Sequence, residues 1–277
     1  MEGAKLNRRQ VLRLLGSAGA VGSISSLLPS RTHGQTVNPY IVLGSGPTVL
    51  AFDRMPRGYF ESLSQRYRVV VMDYPPRDNP SSTFVDSFTA DRVCADILAV
   101  ADAVGASRFA WYGFSWGAVV GLQLASRTSR LTALACGGWP PLGGQYEEAL
   151  AAAEGALGEG RLYVTYYQSL RGWAEREAVS KLTCPRLVFA GTNDQFIAEG
   201  RRIRIGPLVA EHREELERMG WTVRLVDGFG HELGGRPDVV TPILREFLDP
   251  LGLSVRRSGI VRDDTQEDCG EHALHAV

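Results

Sequence analysis

The sequence lacks the features that would place it in several large classes of protein. Its 30 basic and 31 acidic residues leave a formal net charge of −1, so charge gives no argument for a nucleic-acid partner or an acidic membrane surface. The five histidines are scattered, and the four cysteines form no C-x-x-C pair of the kind that binds metals. Glycine-rich nucleotide-binding motifs and internal repeats are also missing. We therefore expect no metal and no cofactor.

The composition that remains is typical of a globular enzyme. The chain has 277 residues, of which 44% are hydrophobic and 22% charged, enough for one domain with a sizeable core. Predicted strands alternate with predicted helices, which favours an α/β fold with a mostly parallel sheet covered on both faces. Strands are expected near 39–43, 48–52, 68–72, 107–112, 131–136, 186–190 and 222–226, and helices near 57–66, 89–104, 116–128, 200–219 and 236–248.

The most informative stretch reads Gly-Phe-Ser-Trp-Gly from Gly113 to Gly117. It lies between an apolar run typical of a strand and a run of small apolar residues typical of a helix. In that setting the pattern indicates a strained turn that exposes a nucleophilic serine, here Ser115. The alternative is a glycine-rich turn that happens to carry an ordinary serine.

A serine hydroxyl needs a base, and the base needs a third group to orient it. Asp194 lies in the loop after the predicted strand 186–190, although a turn or N-cap role is an equally ordinary use of such an aspartate. His231 follows the last predicted strand in a glycine-rich loop. The other histidines lie in the leader, the tail or a charged helical stretch. Ser115, Asp194 and His231 are therefore the candidate catalytic residues, in the order Ser, Asp, His.

These motifs resemble the α/β-hydrolase-fold serine hydrolases, over roughly 40–251. The resemblance implies an α/β-hydrolase fold with a small helical cap. It also implies hydrolysis through an acyl-enzyme, with Ser115 as nucleophile, His231 as base and then acid, and Asp194 as the orienting carboxylate. This chemistry requires no cofactor.

The chain departs from that family in the loop that supplies one oxyanion-hole amide. Where the family usually has His-Gly, this sequence has Asp53-Arg54-Met55-Pro56. The resemblance implies that Met55 occupies the donor position, which the spacing fits, and that its backbone N–H then acts together with that of Trp116. Arg54 is expected to resist the backbone angles that the usual glycine adopts. Asp53 and Arg54 are expected to pair with each other or with solvent, and a substrate-binding role for Arg54 is the alternative.

An insertion over about 138–182 is predicted to form the cap, with helical runs over 147–157 and 161–179. Its aromatic side chains either pack against the main domain or roof a substrate pocket, and the sequence does not decide between the two. For the second case, the candidate substrate-binding residues are Phe114, Trp139, Tyr163 and Tyr167.

The N-terminal segment differs in composition from the predicted domain. Paired arginines, Arg8 and Arg9, precede a weakly apolar run, and this resembles a twin-arginine export signal. The resemblance implies a leader over 1–36, export by the twin-arginine machinery and a periplasmic or secreted protein. The run is too short for a stable membrane span, and an anchor that is not cleaved is the alternative. The hydrolase domain is expected over 37–253, and a disordered tail over 254–277.

The cysteines at 94, 136, 184 and 269 are expected to be buried free thiols, although a disulfide is left open. As function, the sequence favours a serine hydrolase that cleaves a small carboxylic ester, thioester or lactone. One alternative is a peptidase or carbon–carbon bond hydrolase with the same triad. Another is a catalytically weak member of the fold that binds an apolar ligand. The fold alone cannot choose the substrate.

Overall fold

The computed structural model describes residues 31–32, 35–36, 38–75, 81–155 and 160–252. Most of the predicted leader and the whole predicted tail, with Cys269, lie outside these residues, so export and tail disorder stay predictions. Within the described ranges, no helix combines the length and the apolar character that crossing a membrane would require.

A seven-stranded sheet forms the centre of the molecule, in the order β11-β8-β7-β6-β4-β5-β3. All neighbours in it run parallel except β3, which pairs with β5 in antiparallel register. The prediction of a mostly parallel sheet is thus confirmed. In chain order the strands are β1 (Arg31–Thr32), β2 (Gln35–Thr36), β3 (Tyr40–Leu43), β4 (Thr48–Phe52), β5 (Arg68–Met72), β6 (Phe109–Phe114), β7 (Leu131–Gly137), β8 (Arg186–Gly191), β9 (Gln195–Ala198), β10 (Arg201–Arg204) and β11 (Trp221–Val226).

Helices cover both faces of the sheet, as the alternation of elements predicts. The described α-helices are α1 (Arg57–Ser64), α2 (Ser82–Asp86), α3 (Ala90–Ala103), α4 (Trp116–Ala125), α5 (Tyr146–Gly155), α6 (Gly160–Gln168), α7 (Glu175–Ser180), α8 (Gly206–Glu211), α9 (Arg213–Arg218) and α10 (Pro237–Leu248).

The single helix predicted over 200–219 is wrong. Its first part is strand β10, which pairs with β9 to form a separate two-stranded hairpin, and two short helices, α8 and α9, follow. The chain reverses at Glu199 and Gly200, whose φ angles are 46° and 75°. Positive φ at both central residues is the geometry of a tight two-residue hairpin turn. Pairing across this turn overrides the helical preference of the arginines that follow.

The cap helix predicted over 161–179 is wrong as one continuous element. The first helix, α6, ends at Gln168, and α7 begins only at Glu175. Gly172, with a φ of 78°, lies between them in a left-handed conformation that a helix cannot contain.

The sheet divides the core into two layers. Alternate residues of a strand point to opposite faces, so Leu50 and Phe52 contribute to one buried cluster while Val49 and Ala51 contribute to the other. Helices α3 and α4 and the cap pack in the first layer, and α1 and α10 in the second. Helix α4 is buried on nearly every side because its small residues let it lie close to β6. A Cβ atom added at Gly121 would lie 2.6 Å from the Trp111 ring.

Candidate active site

Ser115 occupies the turn between β6 and α4. Its φ and ψ of 56° and −121° are unusual for any residue with a side chain, and Ser115 is buried. The turn depends on a close approach of backbone, since a Cβ atom at Gly113 would lie 2.1 Å from the carbonyl oxygen of Gly117. The Ser115 N–H donates to the carbonyl of Gly137 at the end of β7, at 2.7 Å. The strained turn expected from the motif is therefore present.

Asp194 and His231 form a buried pair. His231 Nδ1 lies 3.0 and 3.1 Å from the two carboxylate oxygens of Asp194, so an Nδ1–H donates to that carboxylate. The His231 side chain is 6% exposed, and the Asp194 side chain is 0% exposed. Burial strengthens such a hydrogen bond and fixes the imidazole ring, because water does not compete for either group.

The three candidate residues follow strands whose carboxyl ends lie at one edge of the sheet. Ser115 follows β6, Asp194 follows β8, and His231 follows β11, all of which run parallel. The ring of Phe114, which directly precedes Ser115, has its centroid 5.1 Å from that of His231. His231 Nε2 is buried and makes no hydrogen bond to a described residue. The structure thus brings Asp194 into contact with His231 and places the Ser115 turn beside them.

The loop after β4 places Met55 beside the serine turn. Met55 and Trp116 line the same small cavity, and neither N–H donates to a backbone acceptor in the described loops and caps. The role of these two N–H groups in an oxyanion hole stays a prediction.

The backbone of Arg54 does not show the glycine-like conformation that the sequence analysis considered for this position. Outside glycine, Ser115 and Glu199 are the described residues with positive φ, so Arg54 does not adopt the positive φ that favours glycine. Its guanidinium donates to the carbonyl oxygens of Tyr74, at 3.4 Å, and Pro75. Arg54 therefore ties the loop after β4 to the segment after β5, an interaction that the sequence analysis did not foresee.

The four candidate substrate-binding aromatics are all buried, and they fall into different places. Phe114 packs against the rings of His231 and Phe189. Tyr163 lies edge-on to Trp116, with ring centroids 5.4 Å apart. The structure thus brings Phe114 to His231 and Tyr163 to Trp116, which directly follows Ser115.

The remaining two aromatics pack within the cap. Trp139 packs against Tyr146, and Tyr167 packs against Tyr166. Tyr166 in turn lies 5.2 Å from Trp116, so Tyr167 is one ring removed from the serine turn. All four side chains make ring contacts in this structure, and their role in substrate binding stays a prediction.

Little open space lies next to the serine turn. The cavity there has a volume of about 10 Å³ and is lined by Phe52, Arg54, Met55, Phe114 and Trp116 together with the two motif glycines. A volume of this size holds about one water molecule. This cavity by itself is too small for an acyl group.

One residue of the site was missed by the sequence analysis. Phe196, in β9, lies edge-on to the His231 ring, with centroids 5.2 Å apart. The alternation of Gln195 to Ala198 was the available signal, since it is typical of a strand with Phe196 on its buried face. The sequence analysis did not use this signal, because it predicted a helix from residue 200 onward. Strand β9 forms only because β10, which lies in that region, pairs with it.

The cysteines of the described chain do not form an alternative nucleophilic site. Cys94, Cys136 and Cys184 are free thiols. Burial raises the pKa of the Cys94 thiol to about 12 and that of Cys136 well above its ordinary value, so both stay protonated. A search of the described residues finds no group of three or more histidine, cysteine or carboxylate side chains placed to hold a metal ion.

Comparison with known proteins agrees with this architecture. Residues 54–138, which include the serine turn, match the family model described as alpha/beta hydrolase fold. The enol-lactonase from Burkholderia xenovorans superposes with a TM-score of 0.57 at 17% identity, over 76% of this chain and 95% of that one. The chain has the α/β-hydrolase fold.

Other similar structures with this fold carry different activities. Carboxylesterase CesB from Bacillus subtilis has a TM-score of 0.53 at 16% identity, over 87% of this chain and 95% of that one. Epoxide hydrolase VrEH1 from Vigna radiata has a TM-score of 0.58 at 16% identity, over 76% and 94%. At these identities the likeness establishes the fold and leaves the reaction open.

One curated relative is similar in sequence. A stretch of 103 residues, 34% of this chain, is 34% identical to a putative carbamate hydrolase, RutD, from Enterobacter cloacae. The match spans 39% of the length of that protein.

Proposed function

We propose that the protein is a serine hydrolase that cleaves a small carboxylic ester, thioester or lactone through an acyl-enzyme. The observation that carries the proposal is the buried hydrogen bond between His231 and Asp194 at the sheet edge where the strained Ser115 turn lies. An orienting carboxylate, a histidine and a serine in a strained turn are the parts that acyl transfer requires.

In the proposed reaction, Ser115 Oγ attacks the substrate carbonyl carbon while His231 Nε2 accepts the hydroxyl proton. The N–H groups of Met55 and Trp116 donate to the oxyanion of the tetrahedral intermediate. His231 then gives its proton to the leaving oxygen or sulfur as the bond between that atom and the carbonyl carbon breaks. A water molecule, deprotonated by His231, attacks the acyl carbon, and His231 returns the proton to Ser115 Oγ as the acid leaves. Throughout, Asp194 holds the Nδ1–H and stabilises the imidazolium.

The substrate class follows from the chemistry and size of the surroundings. Aromatic rings border the serine turn, and some of them line the cavity of about 10 Å³ beside it. Such walls suit a small, largely apolar acyl or alcohol group. The names of similar proteins, an enol-lactonase, a carboxylesterase and a putative carbamate hydrolase, describe carbonyl substrates of this kind.

The deciding experiment is labelling with a fluorophosphonate probe, read by intact mass. The probe reacts with activated serines whatever their natural substrate. We expect a single adduct on the wild type, none on Ser115→Ala, and an unchanged adduct on Ser180→Ala, which alters an exposed serine of the cap.

Two results would overturn the proposal. An adduct that persists in Ser115→Ala would show that another residue is the nucleophile. No adduct on folded wild type would favour the alternative of a catalytically weak member that binds an apolar ligand.

A further inference from the structure

The hairpin formed by β9 and β10 begins and ends at Asp194. Strand β9 starts at the next residue, and after β10 the N–H groups of Ile205 and Gly206 both donate to the Asp194 carbonyl, at 2.8 and 2.9 Å. The hairpin is therefore a closed loop anchored on the carboxylate residue of the site. Any displacement of this hairpin would therefore also move the backbone of Asp194, whose carboxylate is hydrogen-bonded to His231.

The hairpin places one large side chain on the histidine. The Phe196 ring lies 5.2 Å from the His231 ring at 62°, and the Phe114 ring lies 5.1 Å from it at 57°. Phe196 is 7% exposed, so it also shields the imidazole from solvent. Edge-on aromatic contacts of this geometry favour one ring orientation over others.

The cap holds the hairpin in place at two points. The side-chain amide of Gln145 donates to the Arg202 carbonyl at 3.1 Å and accepts from the Arg204 N–H, which pairs it with the open edge of β10. At the hairpin tip, Glu199 lies so close to Gly155 that a Cβ atom there would be 2.6 Å from Glu199 Cγ. Cap and hairpin are thus joined at both the edge and the tip.

We propose that Phe196 is a positioning residue for His231 and that the Gln145 amide, by fixing β10 to the cap, sets the place of Phe196. The inference rests on the proposed function. This chain of contacts couples the position of the cap to the orientation of the base. Phe196 does not touch the reacting atoms. It acts by holding the imidazole and by keeping water from the Nδ1–H.

The test compares Phe196→Ala with Phe196→Leu, an apolar replacement that keeps bulk on the ring. For ester hydrolysis we expect Phe196→Ala to lower kcat by about 10- to 100-fold with KM changed by less than about threefold, since a displaced base costs rate and not binding. Phe196→Leu should recover most of kcat. Equal losses in the two variants, or a loss confined to KM, would overturn the positioning role.

A second readout does not depend on activity. The Nδ1 proton of His231 should give a far-downfield proton NMR resonance in the wild type, because it is hydrogen-bonded to the Asp194 carboxylate. The resonance should be visible because burial slows exchange of this proton with water. In Phe196→Ala this resonance should broaden or vanish while the remaining amide spectrum stays folded. An unchanged resonance would overturn the inference even if the enzyme were inactive. Failure of the wild type to react with the fluorophosphonate would instead count against the proposed function.

The link to the cap is tested with Gln145→Leu and a matched control, Gln168→Leu, which alters an exposed glutamine of α6. We expect Gln145→Leu to lower kcat by about three- to tenfold and to weaken the same resonance, as partial loss of positioning predicts. Gln168→Leu should leave both unchanged. A Gln145→Leu variant that behaves like this control would show that the amide does not set the place of Phe196.

Discussion

Ser115 carries backbone strain that can be measured apart from its chemistry. Its φ of 56° costs a residue with a Cβ atom about 1–3 kcal/mol, which the surrounding contacts offset. Ser115→Gly and Ser115→Ala both remove the hydroxyl, but only glycine adopts these angles without strain.

We therefore predict that Ser115→Gly has a free energy of unfolding about 1 kcal/mol higher than Ser115→Ala, even though glycine gains more entropy on unfolding. Denaturant titration of the two variants measures the difference. An alanine variant at least as stable as the glycine variant would show that the turn is not strained.

The side chain of Arg54 anchors the loop after β4, where the family usually has a glycine. Its φ is not positive, and its guanidinium donates to the carbonyls of Tyr74 and Pro75, so a glycine at this position would lose these hydrogen bonds without relieving a positive φ. We predict that Arg54→Gly lowers kcat by about tenfold, because the loop with the Met55 N–H loses its anchor and an oxyanion donor is worth about 3–4 kcal/mol.

Steady-state kinetics of Arg54→Lys and Arg54→Met separate the two contributions of the side chain. The lysine variant keeps a charge and a donor, and should retain more kcat than the methionine variant, which keeps only the length. A rise in kcat for Arg54→Gly would revive strain in this loop as the limiting factor.

At the scale of elements, the junction of β6 and α4 depends on the absence of a side chain. A Cβ atom at Gly113 would lie 2.1 Å from the backbone oxygen of Gly117, and backbone at the start of a helix cannot move aside cheaply. At Gly235, in the short 3₁₀ helix His231–Gly235, a Cβ atom would meet nothing within 4 Å.

The prediction is that Gly113→Ala lowers the free energy of unfolding by about 3 kcal/mol or prevents folding, as overpacking of a rigid contact does. Gly235→Ala, the matched substitution, should stay within about 0.5 kcal/mol of the wild type. Thermal or urea unfolding of both variants decides. Similar stabilities would mean that helix and strand can separate without cost.

At the scale of the whole molecule, a partly buried carboxylate joins the separate pieces of the cap. Glu175, at the start of α7, accepts from the Tyr146 hydroxyl at 2.7 Å and from the Gly144 N–H at 3.1 Å. Burial raises the pKa of this carboxyl above its usual value of 4.5, and the hydrogen bonds only partly offset that effect. The folded protein therefore binds the Glu175 proton more tightly than the unfolded chain does.

A raised carboxyl pKa contributes stability that is present below pH 4.5 and is lost as the pH rises through the folded-state pKa. Glu175→Gln keeps an acceptor for both donors and removes the charge. We predict that its stability relative to the wild type increases as the pH is raised from about 4 toward neutrality. Urea titrations of both proteins across this range measure the difference. A constant difference would show that Glu175 titrates in the folded protein as it does in the unfolded chain.

The sequence by itself determined the sheet and the candidate residues at its edge. Apolar runs located the seven strands of the sheet to within about two residues. The central strands are buried on both faces and so need continuous apolar sequence, whereas the edge strand β11 alternates between buried and exposed residues. The Gly-x-Ser-x-Gly spacing predicted the strained turn at Ser115, because only glycines allow so close an approach of backbone. The positions of Asp194 and His231 after two parallel strands placed them at the same edge.

Tertiary structure alone decided what depends on contacts between distant segments. The hairpin after Asp194 exists because β9 and β10 pair with each other and with Gln145, 50 or more residues earlier in the chain. The same hairpin brings Phe196 onto His231. Arg54 finds its carbonyl partners some 20 residues away, where no local pattern points to them. The local sequence of a segment predicts its hydrophobic periodicity and its turns. The residues that the segment contacts depend on how the whole chain packs.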